Sequence, residues 1–286
     1  MGIKVLTTIA EVKAFVRAAK ENGKKIGLVP TMGALHEGHL TLMRRAKADM
    51  DVVIASVFVN PTQFGPNEDF DAYPREFASD VKKLDSVGVD AVFHPSPDEM
   101  YPKNYTAYVT VDGPITNKLC GAKRPGHFRG VATVLTKLFH ITEADKAFFG
   151  QKDAQQVVVI KRFVRDLNFN IEIDMVPIVR DADGLALSSR NKYLSKEEKK
   201  AALILSASLK KAQAAFKGGE KDAKLLKNII SESIKQEKMA DIDYVDIYSF
   251  PDLEEITKVE DSALAAVAVR FGTTRLIDNT ILTEEK

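Results

Sequence analysis

A chain of 286 residues, 45% hydrophobic and 28% charged, has the makeup of a soluble globular protein with room for one large domain or two smaller ones. Its 41 basic and 40 acidic side chains nearly cancel, which argues against broad electrostatic binding of nucleic acid and leaves only local basic patches. The single cysteine, Cys120, excludes an intrachain disulfide and fits a reducing, cytoplasmic setting; with no activating pattern around it, it reads as a small, partly buried side chain.

In chain order the first clear apolar run is residues 26–29, a short buried strand in pattern. The stretch Pro30-Thr31-Met32-Gly33-Ala34-Leu35-His36-Glu37-Gly38-His39 follows, and beyond it Leu40, Met43 and Ala46 recur at helical spacing, predicting a helix over 39–50. Two histidines three apart thus open a helix directly after a glycine turn. Free N–H groups and the helix dipole make such a point an anion site, and two imidazoles there suggest a polyphosphate. Zinc is the weaker reading, because the metalloprotease pattern sets its histidines four apart and no third ligand is evident. Residues 52–59 read as a second strand. It ends in Asn60-Pro61-Thr62-Gln63-Phe64, where Pro61 turns the chain and Asn60 and Gln63 offer neutral donors and acceptors.

A helix over 75–87 and strands over 91–93 and 106–111 come next. The basic loop Lys123-Arg124-Pro125-Gly126-His127-Phe128-Arg129, taken alone, reads as solvated. A helix over 130–141 and a strand over 147–149 lead into Gly150-Gln151-Lys152-Asp153. There Gly150 admits a close ligand, Lys152 is a point charge for phosphate, and Asp153 is placed to cap a helix over 154–167. Gln156 lies one turn further on. A strand over 171–179 closes the series.

Alternation of this kind predicts an α/β fold over residues 1–180: a Rossmann-like, doubly wound parallel sheet with helices on both faces. Ligands of such sheets bind beyond the carboxyl ends of the strands. The segments at 36–39, 60–64 and 150–153 each follow a strand, so they are expected on one rim. The pattern changes after Arg180-Asp181-Ala182-Asp183-Gly184. Leu187-Ser188-Ser189-Arg190-Asn191-Lys192 then gathers hydroxyls and cations in a loop able to close over phosphates. Ser195 and Glu198 form a capping box before a long helix that stops at Gly218-Gly219, and a second helix covers 223–236. Strands follow over 244–248, 263–271 and 274–281, the last two split by Gly272 as in a hairpin. Residues 181–286 therefore read as a smaller α+β domain, a lid hinged near 181–184. No apolar run reaches 18 residues, so no transmembrane helix is expected, and Glu11, Lys13 and Arg17 interrupt any signal-peptide core.

Together, the stretch from Pro30 to His39, Val59-Asn60-Pro61-Thr62-Gln63-Phe64, Gly150-Gln151-Lys152-Asp153 and Leu187-Ser188-Ser189-Arg190-Asn191 resemble the pantothenate synthetase (pantoate–β-alanine ligase) family, in the right order and over nearly the whole chain. The His-x-Gly-His element is shared across the wider nucleotidyltransferase superfamily, class I aminoacyl-tRNA synthetases included. Ser188-Ser189-Arg190 stands where those synthetases have a lysine-rich motif, and it matches the narrower family. The resemblance implies ATP-dependent condensation of pantoate with β-alanine to pantothenate, AMP and diphosphate, through an enzyme-bound pantoyl adenylate and with magnesium. It implies that Met32, Gly33, Ala34, Leu35, His36, Glu37, Gly38 and His39 hold ATP, with Gly150, Gln151, Lys152, Asp153, Val179, Leu187, Ser188, Ser189 and Arg190. His39 matches the residue usually assigned as proton donor, and His36, Lys152 and Arg190 complete the catalytic set. Gln63 and Gln156 fall to pantoate, with Asn60, Tyr73 and Arg124 as further contacts to pantoate or β-alanine. Asp80 would be an outer partner for magnesium. A homodimer with no nucleic-acid or membrane partner is expected. Two rival readings stand beside it: an adenylyltransferase of the same superfamily, which would set cations where this chain has Gln63 and Gln156, and a non-catalytic nucleotide-binding module.

Overall fold

The computed structural model describes residues 2–66 and 68–284. In it β1 (Lys4–Leu6), α1 (Ile9–Glu21), β2 (Ile26–Thr31), α2 (Glu37–Asp49), β3 (Val52–Val57), α3 (Phe77–Ser86) and β4 (Ala91–Phe93) alternate. Two short helices, α4 (Pro97–Met100) and α5 (Leu119–Lys123), lead to α6 (His127–Thr142), β5 (Lys146–Gly150), α7 (Ala154–Asp166) and β6 (Glu172–Val176). These six strands form one parallel sheet in the order β1-β4-β3-β2-β5-β6.

A parallel sheet is covered on both faces, so its strands carry apolar residues at consecutive positions. Leu28 and Ile54 pack with Val16, Leu135 and Ile160 from α1, α6 and α7 on one face. Val29, Val53 and Ala55 pack with Met43 and Ala46 of α2 and Leu84 of α3 on the other. From β2 the chain winds through β3 to β4 in one direction, and later through β5 to β6 in the other. Strand order therefore reverses between β2 and β5, and a crevice opens beyond their carboxyl ends.

The strand expected over 106–111 does not form. Among the described residues this segment has no ladder partner, and Val109 instead gives its N–H to Thr133 Oγ1 on α6 at 3.0 Å. Val109 and Val111 still pack against the core, so their apolar pattern is satisfied by a helix face, an ambiguity that periodicity leaves in any short run.

The remainder is α8 (Lys196–Ala202), α9 (Ile204–Lys217), α10 (Ala223–Lys235) and strands β7 (Ala240–Ser249), β8 (Ser262–Phe271) and β9 (Thr274–Thr283), a separate antiparallel sheet in the order β7-β8-β9. The Ser195–Glu198 capping box is present, with bonds of 2.8 and 3.1 Å. The single long helix expected after it is interrupted at Leu203, where the N–H turns to the carbonyl of Lys200 and tightens the coil. A two-residue turn with Gly272 at φ +56° joins β8 to β9. Val267, Val269 and Phe271 of β8 face Leu209, Phe216, Leu226 and Ile230 of α9 and α10. The alternate residues Leu264 and Ala266 join the core of the first sheet, so β8 is buried on both sides. Arg180 forks onto Asp278 of β9 at 2.6 and 2.9 Å and ties the linker to this sheet. No helix among the described residues is long and apolar enough to cross a membrane.

Candidate active site

β2 runs into a buried bend. Gly33 (φ +84°) and Ala34 (φ +50°) both take left-handed backbone, which glycine adopts freely and alanine only when held. The hold is Asp80 of α3. Its carboxylate is fully buried and accepts the N–H groups of Ala34 and Leu35 at 2.9 and 2.8 Å. The bend delivers His36 as the N-cap of α2 and sets His39 one turn on, with ring centroids 4.0 Å apart. His39 Nδ1 accepts the N–H of His36 at 3.3 Å, so the ring proton sits on Nε2. His36 Nδ1 is buried with no hydrogen-bond partner among the described residues. Burial, reinforced by Lys152, lowers the His36 pKa to about 4. Burial beside His36 and Lys152 takes His39 well below its ordinary value, so both rings are neutral at pH 7. The residue between them has to be small: a Cβ at Gly38 would lie 2.9 Å from His36 Cε1.

Beyond β3, Asn60 caps the short turn Pro61–Gln63. Asn60 is buried and its amide is fully engaged. Oδ1 accepts from Tyr101 Oη at 2.8 Å and Thr62 Oγ1 at 2.9 Å, and Nδ2 donates to Gln63 Oε1 at 2.9 Å and Gly130 O at 3.2 Å. Asn60 thus lines the cavity but acts by holding Gln63. With Oε1 so fixed, Gln63 turns Nε2 away from Asn60 to Met32 Sδ at 3.3 Å. The Gln63 carbonyl accepts from His127 Nδ1 at 2.9 Å, while Arg124 Nη1 donates to His127 Nε2 at 3.0 Å. Burial, then Arg124, holds the His127 pKa at about 4. The loop that reads as solvated in sequence therefore places its Arg124 and His127 in the cavity wall.

At the end of β5, Gly150, Lys152, Asp153 and Gln156 line the same cavity. Gln151 faces elsewhere. Asn279 of β9 accepts from Gln151 Nε2 at 3.2 Å and donates to the carbonyls of Gln151 at 2.9 Å and Lys152 at 3.0 Å. The second sheet thereby fixes the backbone that carries Lys152. Asp153 stands at the start of α7, yet its carboxylate makes no cap bond and instead meets Lys152 Nζ at 3.6 Å. Val179, Leu187, Ser188, Ser189 and Arg190 also line the cavity, and the Val179 carbonyl accepts from Leu187 N–H at 3.0 Å. Ser189 Oγ meets the buried Tyr73 Oη at 3.1 Å. Arg190 forks onto Asp69 at 2.9 and 2.8 Å, and Arg124 onto Glu68 at 2.7 and 2.6 Å. Burial opposes ionisation of both acids, but the guanidiniums override it and hold Glu68 and Asp69 below the usual carboxylate range.

The product is a cavity of about 230 Å³ at the point where strand order reverses. Gly33, Ala34, Leu35, Glu37, Gln151 and Asp80 lie off its lining. Glu37 is exposed and pairs with Arg44. Asp80, expected as an outer partner for magnesium, braces the bend, with each oxygen accepting a backbone N–H group. Among the described residues no cluster of three or more His, Cys, Asp or Glu side chains is placed to hold a metal, and the carboxylate on the lining is Asp153. That composition fits a magnesium ion carried in on nucleotide phosphates better than one caged by protein. Sequence reasoning missed Glu68, Asp69 and Asn279. The first two had a signal, an acidic pair just after the Gln63 turn, opposite in sign to the arginines expected at the site. Asn279 had none, because its contacts span about 128 positions of chain.

A family profile described as pantoate–beta-alanine ligase matches residues 4–281. A pantothenate synthetase of Pelotomaculum thermopropionicum is 59% identical over 278 residues, covering 97% of this chain and 98% of its own. One of Acetivibrio thermocellus is 55% identical, covering 98% of this chain and 99% of its own. The crystal structure of pantothenate synthetase from Thermus thermophilus superimposes with a TM-score of 0.93 at 42% identity, covering 99% of this chain and 100% of that one. The pantoate–beta-alanine ligase of Francisella tularensis, complexed with beta-gamma ATP and beta-alanine, gives 0.80 at 35% identity and 98% coverage of each chain. Profile, relatives and fold agree, and the chain belongs to the pantoate–β-alanine ligase family.

Proposed function

We propose that this chain joins pantoate to β-alanine, driven by cleavage of ATP to AMP and diphosphate, through an enzyme-bound pantoyl adenylate. One observation carries the reading: in a chain of this family, a single cavity is lined both by cations, hydroxyls and histidines suited to phosphate and by two neutral glutamines, Gln63 and Gln156. An adenylyltransferase acting on a phosphate ester would need further cations where these glutamines stand.

In the first step a pantoate carboxylate oxygen attacks the α-phosphorus, the bond to the β-phosphate oxygen breaks, and diphosphate leaves. Pantoate is already ionised, so no base is required. The barrier is repulsion between anions, and fixed donors lower it. His39 Nε2–H, Lys152 Nζ and the hydroxyls of Ser188 and Ser189 supply such donors. Asp69 engages Nε and Nη2 of Arg190 and leaves Nη1 for a phosphate oxygen. His36, whose Nδ1 has no hydrogen-bond partner among the described residues, is assigned to the nucleotide. A magnesium ion carried on the nucleotide would draw charge from its phosphates. Gln63 Nε2 and Gln156 suit the hydroxyls of pantoate.

In the second step the β-alanine nitrogen attacks the acyl carbon, the acyl–phosphate C–O bond breaks, AMP leaves, and the nitrogen loses a proton. The amine must arrive unprotonated. If its pKa resembles that of lysine, this costs roughly 4.6 kcal/mol at neutral pH. Residues 181–286 serve as a lid over the phosphates, and a homodimer belongs to the same reading. A coupled assay for AMP, with each substrate omitted in turn, tests the function. Steady AMP production is expected only with ATP, pantoate and β-alanine together. Equal turnover without β-alanine, or dinucleotide formed from a phosphate-ester acceptor, would reject it.

A further inference from the structure

A second, smaller chamber of about 70 Å³ adjoins the main cavity, among α5, α7 and the second sheet. The two share Arg124, His127, Lys152, Asp153, Gln156, Ser188 and Arg190 in their linings. Arg275 of β9 lines only the smaller one. Its Nε donates to Asp243 Oδ2 at 2.8 Å, and the same carboxylate holds Lys123 at 3.3 Å. One acid therefore faces two cations. Arg124, Lys152 and Arg190, by contrast, each have an acid of their own in Glu68, Asp153 and Asp69. The Nη1 and Nη2 groups of Arg275 carry four N–H bonds, and the acceptor they reach is Cys120 Sγ, at 3.8 and 3.9 Å, a weak one. Tyr244 Oη lies 3.4 Å from the same sulfur, and burial keeps that phenol protonated and uncharged. A partly buried guanidinium fork, short of acceptors among the described residues and set in a wall where four cations outnumber two carboxylates, Asp153 and Asp278, is complementary to an anion.

We propose that this chamber is a transit site for diphosphate on its way out of the main cavity, with Arg275 as its anchor. The inference rests on the ligase reading, in which diphosphate forms beside Lys152, Ser188 and Arg190, residues that also line the chamber. Charge selects diphosphate over the carboxylate of β-alanine. Arg124, Lys152, Arg190 and Arg275 line the chamber against Asp153 and Asp278, and a multiply charged anion engages the N–H groups that several of these cations keep beyond their acid partners. A zwitterion would carry its ammonium into the same positive field. Departure by this route clears the phosphate side of the main cavity before the amine attacks.

Cys120 is the only cysteine of the chain and lines the chamber, so its alkylation by iodoacetamide, read by mass spectrometry, reports occupancy. Sodium diphosphate is expected to protect Cys120. β-Alanine is not, and neither is a non-hydrolysable α,β-methylene ATP analogue, whose terminal phosphates stay tethered in the main cavity. Arg275→Gln should raise the diphosphate concentration needed for protection about tenfold, the scale of one lost charge-assisted hydrogen bond. Arg275→Lys keeps the charge and should retain most of the protection, a rescue that a packing role would not produce. Absence of protection by diphosphate, equal protection by β-alanine or the analogue, or undiminished protection in Arg275→Gln would each overturn the proposal. AMP formation on the same preparations separates the two readings. Wild-type protein that makes no AMP from the three substrates fails as a ligase, whereas normal AMP formation with an unprotected Cys120 overturns the chamber alone.

Discussion

Replacing Asp80 by Asn tests the idea that a buried carboxylate, rather than a metal, organises the two-histidine bend. Asp80 is 0% exposed, and each of its oxygens accepts one backbone N–H, from Ala34 and Leu35. Hydrogen bonds to a charged group are worth about 1.5–3 kcal/mol each. Asp80→Asn keeps one oxygen, whose bond falls to a neutral one worth about 1 kcal/mol, and sets an NH2 group against the other N–H, losing that bond. The two losses come to about 3 kcal/mol. They also release Ala34, whose left-handed backbone is disfavoured by roughly 1–2 kcal/mol. For a chain of this size the Tm should fall by roughly 6–12 °C. ATP affinity should fall with it, because the bend delivers His36 and His39 to the cavity. Circular dichroism gives the first quantity, and calorimetric titration with a non-hydrolysable ATP analogue gives the second. A magnesium titration of AMP formation at saturating ATP supplies the control, and its midpoint should not move. A variant of wild-type stability that needs more magnesium would refute the strut and restore Asp80 as a partner of the metal.

Four other outcomes follow from the same geometry. Gly38→Ala drives a methyl group into the His36 ring and should raise the KM for ATP well above any change for pantoate; an unaltered KM for ATP contradicts the packing argument. Gly130→Ala sets a Cβ 2.3 Å from Thr62 O, so α6 and the Gln63 turn must part, at about 1–3 kcal/mol for overpacking. Its KM for pantoate should rise more than that for ATP, and equal rises would count against Gln63 as a pantoate contact. His39→Ala and Lys152→Ala should each slow diphosphate release in the first step by about a hundredfold while leaving circular dichroism unchanged; near-normal release by either folded variant would sink the assignment. His127 has a folded pKa of about 4 against 6.5 for the free side chain. As pH falls the unfolded chain takes up the proton first, so stability is full above pH 6.5 and declines down to about pH 4. His127 alone accounts for about 3 kcal/mol of that decline. Urea midpoints that stay flat between pH 7 and pH 4.5 would contradict a neutral, buried imidazole.

Much of the architecture was legible in the chain because parallel strands buried on both faces impose short apolar runs and helices impose their own period. The runs at 26–29, 52–59 and 147–149 became β2, β3 and β5. The rule that ligands sit at strand ends then placed His36, Gln63 and Lys152 on one rim, as they are in the cavity. The run at 106–111 carried the same apolar signal, yet Thr133 captured its backbone, and no pattern within the run reveals a competitor that lies on another element. The break at Leu203 is equally silent in sequence, since Ala201, Ala202, Leu203 and Leu205 are good helix formers and neither Gly nor Pro stands near.

By itself, the sequence determined most of the strands and helices and which kinds of side chain stand at the loops that end them, because those follow from near neighbours. Only the tertiary structure decided which charge meets which. It put Asp80 behind Ala34, Asp69 on Arg190, Asn279 on the carbonyl of Lys152 and a shared Asp243 beneath Arg275. Each of those contacts is made between elements far apart in the chain, and a hydrogen bond is decided by an ångström of distance that no local pattern encodes.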